Sequence, residues 1–431
     1  MSKYIFGAIQ WMAFMIAGSI VAPIAIGDLF HLSPSATAEF VQRTIFVLGI
    51  SSILQASLGH KLPINEGPAG LWWSVFAIYA GFIGTIYSSS QATLQSLEAG
   101  MIVSALVFFL LAGFGLIEKL KNLFTPTATF VYLVLLILQL SGSFMKGMLG
   151  LSNEQTHVQP TVLLGSIAVI ILTYFLGSLK VKWISQYSIL ISLLLGWILF
   201  YFLGEAPSIP LNRGAIFSLP QIFPFGPPRF DSGMITTAIF VAILLTTNMI
   251  ASVRVMEEVQ GRITGKRPSP NYKKAGLISG INQAAGGIFG AVGPVPISGA
   301  AGYVQATSIT SIKPFIFGSI MITILSLFPS VMGIMAAIPT PVGYAVTFVI
   351  FSRMVGIALS ELDKETDKPL ARIVSGVSLL IGVGAMFIPV KATEQLPIIF
   401  ASLLNNGLIL GTIAAILTEQ WIRFQIIKPK G

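Results

Sequence analysis

Apolar stretches long enough to cross a lipid bilayer recur along almost the whole chain. They include residues 5–27, 101–117, 162–179 and 235–253. A helix needs about 20 consecutive apolar residues to cross the hydrocarbon core of a bilayer. The pattern therefore predicts an all-α polytopic membrane protein with roughly a dozen to fourteen membrane spans.

Two polar breaks interrupt this pattern. Residues 63–70 (PINEGPAG) and 294–302 (PVPISGAAG) both cluster proline with glycine, and they occupy matching places in the two halves of the chain. Helix-breaking sequence at membrane depth is tolerated only where it is buried in protein or lines a polar cavity. Paired breaks indicate a transporter whose binding site lies between them. Plain loops between complete helices are the alternative, and the matching positions disfavour it.

Each break predicts a short strand followed by a half-helix. Proline removes a backbone donor and disfavours helix in the residue before it, so residues 62–64 and 295–297 are expected to be extended. The apolar segments that follow, 71–87 and 303–312, are short for complete spans. The N-termini of the half-helices would present free N–H groups and positive dipole ends in mid-membrane. This arrangement suits a planar, polar solute that forms hydrogen bonds.

A proline-rich connection separates the two halves. About seven spans fit on each side of it. Residues 1–204 are therefore predicted to form a first repeat, 205–232 the connection, and 233–431 a second repeat. An odd number of spans in the first repeat makes the second enter from the opposite side of the membrane, which predicts an inverted repeat.

The composition excludes an ordinary soluble protein. The chain is 54% hydrophobic and 10% charged, and it has no cysteine. Its mean hydropathy is +0.85. Thiolate chemistry and disulfides are excluded. The three histidines, His31, His60 and His157, fall in predicted loops or span ends and are expected to be solvated, so we expect neither a metal site nor a cofactor. No paired acids or activated nucleophile suggest an enzyme.

The distribution of the net charge of +9 indicates how the chain crosses the membrane and does not suggest nucleic-acid binding. Lysine and arginine concentrate in alternate connections, a bias typical of cytoplasmic loops. The largest groups are Arg262, Lys266, Arg267, Lys273 and Lys274 in one connection, Lys364, Lys368 and Arg372 in another, and Arg423, Lys428 and Lys430 at the tail. This distribution predicts a multi-pass protein of the cell membrane with both termini in the cytoplasm.

Glu66, inside the first break, is the strongest candidate for chemistry. An ionisable residue within the membrane is a functional hypothesis by default, and Glu66 is predicted to be the sole embedded acid. Its carboxylate could accept hydrogen bonds from a substrate N–H or take up a coupling proton. The alternative is a glutamate at the membrane face.

Other polar and aromatic residues lie at or near the breaks. Asn248 interrupts an apolar span and offers both a donor and an acceptor for an amide edge, although a helix–helix hydrogen bond is the alternative. Trp72, or Trp11 in the first span, could stack on a flat heterocycle. The further predicted substrate contacts are Gly67, Ala69, Gly70, Ser252, Ser298, Gly299 and Ala300.

Five segments together resemble a known family. Residues 10–26, 62–67, 123–130, 217–230 and 338–346 are similar, in this order, to landmarks of the nucleobase-ascorbate transporters, the nucleobase:cation symporters of the second type, which include the xanthine and uracil permeases. The resemblance implies fourteen spans as two inverted sevens, folded into a core and a gate domain. It also implies that the third and tenth spans each combine a short strand with a half-helix, with the nucleobase between them.

The chain also departs from the family pattern. The eighth-span glutamate of the family aligns with Asn248, and the acid and asparagine of the tenth-span signature are replaced at Gly299 and Ala300. Glu66, from the opposite break, would supply the missing carboxylate. This makes the chain a divergent member.

Together these observations predict a permease. The leading hypothesis is proton-coupled symport of a nucleobase, most simply a purine, by alternating access. A transporter of the same fold for an anion such as sulfate or bicarbonate is the alternative, since helix N-termini attract anions. The expected partners are the nucleobase and the lipid bilayer, and a homodimer is compatible with the sequence.

Overall fold

The structure is a computed structural model that describes residues 2–120, 125–151, 155–181, 184–185, 187–207, 209, 216–393 and 395–427. Several residues of the sequence predictions lie outside these ranges. They are residues 123 and 124 of one family landmark, 208 and 210–215 of the predicted connection, and Lys428 and Lys430 of the charge pattern.

Helices dominate the part of the first half that the structure describes. Its elements in chain order are α1 Ser2–Ser19, α2 Val21–Leu29, α3 Pro34–Ser57, β1 Glu66–Pro68, α4 Gly70–Ala80, α5 Ser90–Gly113, α6 Ile117–Leu120, α7 Pro126–Met148, α8 Pro160–Ser178 and α9 Ser188–Phe202.

The second half repeats this mixture of long helices and one short strand. Its elements are α10 Ser232–Thr264, α11 Tyr272–Ile288, β2 Pro294–Pro296, α12 Gly299–Thr307, α13 Ile312–Ser326, α14 Pro329–Ala336, α15 Thr340–Asp363, α16 Lys368–Met386, a 3-10 turn Val390–Thr393, α17 Ile398–Leu404 and α18 Gly407–Ile427.

Polar side chains mark where several helices begin. The side chains of Thr125, Asp231 and Asn271 accept hydrogen bonds from backbone N–H groups in the first turns of α7, α10 and α11, at 3.1, 2.8 and 2.8 Å. Such caps satisfy N–H groups that have no acceptor within the helix. They fix the points at which the chain enters each apolar segment.

Within the described residues, eight helices are long and apolar enough to cross a membrane. The number is ten if each of two bent pairs forms one span: α13 with α14, bent by 92°, and α17 with α18, bent by 82°. The protein is therefore a multi-pass membrane protein.

The helices pack in two groups. Helices α1–α5 and α10–α14 contact mainly one another, and so do α7–α9, α15, α16 and α18, whereas α17 contacts both α10 and α18. The groups meet where α4 contacts α7, α2 contacts α15, and α10 contacts α17. The first group encloses the two strands, since β1 contacts α1 and α3 and β2 contacts α3, α10 and α11.

The two breaks pair with each other. Strands β1 and β2 are antiparallel, with Glu66 opposite Pro296 and Pro68 opposite Pro294. Two further hydrogen bonds extend the ladder, from Ala69 N to the Gly293 carbonyl at 2.9 Å and from Ile297 N to the Asn65 carbonyl at 3.0 Å. The breaks are therefore a single folded unit rather than two separate loops.

The positions of these elements correct the sequence predictions. Residues 62–64 are not a strand, because the Ile64 N–H bonds to the Leu62 carbonyl in a tight turn and the strand forms later, where β2 offers a partner. Helix α12 starts at Gly299 rather than at residue 303, since the two alanines that follow are strong helix formers. Helix α4 ends at Ala80 rather than at residue 87, and the chain then turns through the left-handed Gly84 (φ 78°).

Candidate binding site at the paired breaks

Glu66 lies within the paired strands. Its backbone N–H donates to the hydroxyl of Ser52 on α3 at 2.9 Å. Its side chain is buried, with the residue 1% exposed, and neither carboxylate oxygen has a hydrogen-bond partner among the described residues. The carboxylate is thus enclosed by protein, and its two oxygens are not used in hydrogen bonds with the described residues.

Glu66 is not the sole buried acid, as the sequence had suggested. Glu98 on α5 is also 1% exposed. It lies close enough to Arg43 on α3 to interact with it electrostatically. The Arg43 guanidinium carbon lies 5.2 Å from the centre of the Phe225 ring. The sequence missed Glu98 because it lies just before the apolar stretch at residues 101–117, where a solvated acid is common. Within the described residues, no group of three or more His, Asp or Glu side chains could hold a metal ion.

Three side chains hold β2 in place. The Ser252 hydroxyl on α10 donates to the Pro296 carbonyl at 2.8 Å. The Gln283 amide on α11 donates to the Pro294 carbonyl at 2.6 Å, and its carbonyl accepts from Trp72 Nε1 at 2.7 Å. Ser252 and Trp72, both predicted as substrate contacts, therefore use their polar groups within the protein.

Asn248 has its polar group free. It lies one helical turn before Ser252 on α10, about 5–6 Å along the helix. Its side chain is half-buried and makes no hydrogen bond within the part of the chain that the structure describes. The amide therefore stands near the strand pair with a donor and an acceptor to offer.

The first turn of α12 exposes small residues. Ser298 and Gly299 are exposed, and a Cβ built on Gly302 would meet nothing within 4 Å. Ala300 differs from them, because it is buried and its N–H donates to the Ile297 carbonyl at 3.1 Å. The N–H groups at this turn that have no helical acceptor are consequently those of the exposed residues.

The matching turn of α4 faces the second helix group. Gly67 is buried, and a Cβ there would press on Ile297 at 2.5 Å. The Ala69 N–H is used in the strand ladder. A Cβ on Gly70 would make ordinary contacts with Leu136 on α7 and Phe351 on α15, at 3.5 and 3.9 Å. Gly70 thus lies where the two groups meet.

Of the tryptophans, Trp73 rather than Trp72 faces the second group. The Trp73 ring lies 5.6 Å from Phe144 on α7 and 6.2 Å from Phe351 on α15. Trp72 is fully buried within the first group. Trp11 is also fully buried, and the centre of its ring lies 4.4 Å from that of Tyr303 on α12.

The sequence prediction missed the polar side chains that support the strands, among them Ser52 and Gln283. Polar residues at helical spacing inside an apolar span were the available signal. The same region corrects the prediction for His60, which is 1% exposed rather than solvated, because its Nδ1 accepts from the Leu62 N–H at 3.0 Å.

Comparisons with known proteins agree with this architecture. The chain is 15% identical to the transmembrane domain of the cyanobacterial bicarbonate transporter BicA, with a TM-score of 0.62, covering 96% of this chain and 98% of that one. It is 12% identical to SLC26A9, with a TM-score of 0.65, covering 98% of this chain and 66% of that one. At these identities the likeness shows a shared fold.

Sequence comparisons identify the family. The chain is 44% identical over 423 residues to the "Putative purine permease YwdJ" of Bacillus subtilis, covering 97% of this chain and 96% of that one. It is 24% identical to the uric acid permease PucK of the same organism, and the match covers 98% of this chain and 96% of that one. The profile of the xanthine/uracil permeases, described as "Permease family", matches residues 2–391. The chain belongs to this permease family.

Proposed function

We propose that this permease carries a purine nucleobase across the cell membrane by alternating access, in symport with a proton. The observation that carries the proposal is the unpartnered carboxylate of Glu66 inside the strand pair. Relatives along the whole chain bear the names of purine, uric acid and xanthine permeases, which supports a purine as the solute.

The proposal includes fourteen spans in two inverted repeats. The described residues contain ten apolar spans when each bent pair counts once, and α4, α9, α11 and α12 would complete fourteen. The antiparallel pairing of β1 with β2 supports the inverted repeat, because a two-fold axis in the membrane plane between two equivalent strands reverses their directions. The charge pattern supports cytoplasmic termini.

The proposed core domain is the first helix group and the proposed gate is the second. Within the core, the Glu66 carboxylate accepts a purine N–H, and the Asn248 amide reads a second edge of the ring. The N–H groups of Ser298 and Gly299 donate to a purine carbonyl or ring nitrogen, since small exposed residues let a ligand approach the backbone.

Ser252 and Trp72 take a different role from the one first predicted. We assign them to positioning, because the Ser252 hydroxyl and the Trp72 indole both hold β2, directly or through Gln283. They keep the strand pair, and with it Glu66, in a defined place.

The test is uptake of labelled purines by bacterial cells that lack their own purine permeases. Adenine, guanine, hypoxanthine, xanthine and uric acid are supplied at external pH 5.5 to 7.5, with and without a protonophore. We expect the wild type to accumulate at least one purine, faster at acidic pH, and to lose accumulation with the protonophore. Glu66→Gln should lose the pH dependence.

Glu98→Gln is the matched control, because Glu98 is equally buried but is not in the strand pair. It should keep proton-driven uptake at equal amounts of protein in the membrane. Failure of the wild type to take up any purine would overturn the proposal. Full proton dependence in Glu66→Gln would remove Glu66 as the coupling residue.

Anion transport is the second candidate, and one observation favours it. The similar folds include a bicarbonate transporter, and helix N-termini at mid-membrane attract anions. The carboxylate of Glu66 beside these termini repels an anion, so we rank this function lower. Uptake of sulfate or bicarbonate that purines do not inhibit would reverse that order.

A further inference from the structure

A line of buried polar side chains runs between α3 and α11, beside the strand pair. We call it the α3–α11 seam, and its residues are Ser51, Ser52, Gln55, Ser279 and Asn282. The Gln55 amide donates to the Ser279 hydroxyl at 2.9 Å and to the Ala275 carbonyl at 3.0 Å. All five seam residues are at most 4% exposed.

Asn282 is the unusual member of the seam. It is fully buried, and neither atom of its amide has a hydrogen-bond partner among the described residues. A buried amide without partners costs on the order of 1–3 kcal/mol unless another polar group or water satisfies it. We therefore expect the Asn282 amide to form hydrogen bonds with a bound water or with another group that can donate or accept a proton.

The helix register places Asn282 at the same level as Ser51 and Ser52. Gln55, near the end of α3, bonds to Ser279, whereas Thr44, earlier in α3, accepts from Val292 N just after α11 at 3.3 Å. The two helices are therefore antiparallel. Asn282 is about one turn beyond Ser279, and Ser51 and Ser52 are about one turn before Gln55, so they lie at the same level.

At this level the seam reaches Glu66. The Ser52 hydroxyl accepts the Glu66 N–H at 2.9 Å and donates to the Leu48 carbonyl at 2.8 Å. The hydroxyl of Ser51, the side-chain carbonyl of Asn65 and both Glu66 carboxylate oxygens are buried without partners in the described chain. Buried polar atoms of this kind are where proteins hold ordered water.

At its other end the seam reaches His60. The side-chain carbonyl of Gln55 accepts a hydrogen bond from the backbone N–H of His60 at 3.4 Å. Because His60 Nδ1 accepts from Leu62 N, the neutral ring carries its proton on Nε2, which is buried without a partner. Lys61, the next residue, is exposed. His60 thus lies one residue from the surface where α3 ends.

Most charged and titratable groups of the surrounding helices lie toward the helix ends, but Arg43 on α3 and Glu98 on α5 are buried more than two turns from the nearest end. The elements packed on α3, α11 and the strands are α1, α2, α5, α6, α10, α13 and α14. Among the described residues of these elements and of α3 and α11, these groups are Lys3, Tyr4, Asp28, Glu39, Arg43, Glu98, Glu118, Lys119, Arg254, Glu257, Glu258, Arg262, Tyr272, Lys273, Lys274 and Lys313. Along the seam itself, Glu66 and His60 are the groups that titrate.

We propose that the α3–α11 seam carries the coupling proton between Glu66 and the membrane face at which α3 ends. The inference rests on the proposed proton coupling at Glu66. The O–H bond of the Glu66 carboxylic acid breaks, and its proton passes to a water held by Asn282 and Ser51. Each water along Gln55 accepts one proton and gives up another. The last water accepts a hydrogen bond from His60 Nε2–H and releases its proton to solvent at the exit. The carboxylate left behind accepts the next proton when the site faces the other side.

The test uses purified protein in liposomes that contain a pH-sensitive dye. The probe is the purine that the wild type takes up fastest in the cell assay. Three quantities are measured: purine binding, purine exchange between equal internal and external concentrations, and the proton flux that a purine gradient drives. The variants are Asn282→Leu and Ser51→Ala.

We expect both variants to bind and exchange purine as the wild type does, with proton flux reduced at least tenfold in Asn282→Leu and severalfold in Ser51→Ala. The matched control is Ser166→Ala on α8, since Ser166 is also buried without a partner but lies outside the seam. Its proton flux should equal that of the wild type.

Wild-type proton flux in both seam variants would overturn the inference. So would a loss of purine binding equal to the loss of flux, because the residues would then serve the binding site. If Asn282→Leu fails to fold, as judged by gel filtration, Ser51→Ala decides. Failure of the proposed function has a different result, namely no purine-driven proton flux in the wild type itself.

Discussion

The indole nitrogen of Trp72 links the two breaks through a single intermediate side chain. It donates to Gln283, which donates in turn to the Pro294 carbonyl. Each partner is buried, so loss of one leaves the others without compensation. The role of Trp72 thus depends on its N–H as well as on its ring.

Trp72→Phe tests this role, because phenylalanine keeps an aromatic face and loses the donor. Loss of one such hydrogen bond costs about 0.5–1.5 kcal/mol. We expect purine uptake to fall by about two- to tenfold in Trp72→Phe and by a similar factor in Gln283→Met. The double variant should be no worse than either single one, since the two residues share one interaction.

The control is Trp421→Phe, whose parent side chain is 64% exposed, and uptake should not change. A raised purine KM in Trp72→Phe together with normal uptake in Gln283→Met would show instead that the ring stacks on the substrate, as the sequence first suggested.

Gly293 offers a second test at the same scale. A Cβ at this position would overlap the rigid indole of Trp72. We expect Gly293→Ala to lower the melting temperature of the purified protein and to reduce uptake, because overpacking of this kind costs about 1–3 kcal/mol. Gly302→Ala, where a Cβ meets nothing within 4 Å, should melt like the wild type. Equal melting temperatures for the two variants would contradict the close packing.

At the level of elements, the strands show what local sequence can and cannot predict. Proline and glycine predicted that both breaks leave the helix, and the two breaks do form strands. The exact strand residues depend on a partner far away in the chain, so residues 62–64 were chosen wrongly. The position of Asn282 opposite α3 could not be predicted, because it depends on the register of α3 against α11. No local sequence pattern contains that register.

The contact between α4 and the second group is a second feature at this scale. Trp73, Phe144 and Phe351 join helices of different groups, and Phe144 and Phe351 lie 5.1 Å apart. In the proposed mechanism this aromatic contact must break whenever the core moves against the gate. Its strength therefore sets how easily the two groups separate.

Phe351→Ala should weaken this contact. The natural chain has no cysteine, so a single Ser298→Cys change introduces a unique thiol. We expect this thiol to react with a maleimide severalfold faster when Phe351→Ala is also present, because the groups separate more often. Phe200→Ala is the control, since Phe200 is buried inside the second group. An unchanged rate in Phe351→Ala would place Ser298 away from the interface that opens.

For the whole molecule, the apolar pattern predicted a multi-pass membrane protein. The two breaks predicted where its short strands form. The packing of the helices into two groups required the structure, because it depends on which apolar faces meet. Buried charges such as Glu98 and Arg43 also required the structure, since a charged residue beside an apolar run has the same sequence pattern whether it is buried or solvated.

The orientation in the membrane can be tested with single cysteines. With both termini in the cytoplasm, the loop at Ser88 faces outward and the loop at Ser269 faces inward. Both serines are exposed. We expect an impermeant maleimide to label Ser88→Cys in intact cells and Ser269→Cys only after the cells are opened. The reverse result would mean that the charge pattern had been assigned to the wrong side.

The pairing of β1 with β2 also has a consequence for biosynthesis. The first strand leaves the ribosome long before its partner has been made, and in lipid each unsatisfied backbone group costs several kcal/mol. The first half therefore cannot complete its fold on insertion. It must wait, with polar backbone held by water, the insertion machinery or a chaperone, until residues 294–296 arrive. A nascent chain that stops before β2 would accordingly be a substrate for membrane quality-control proteases.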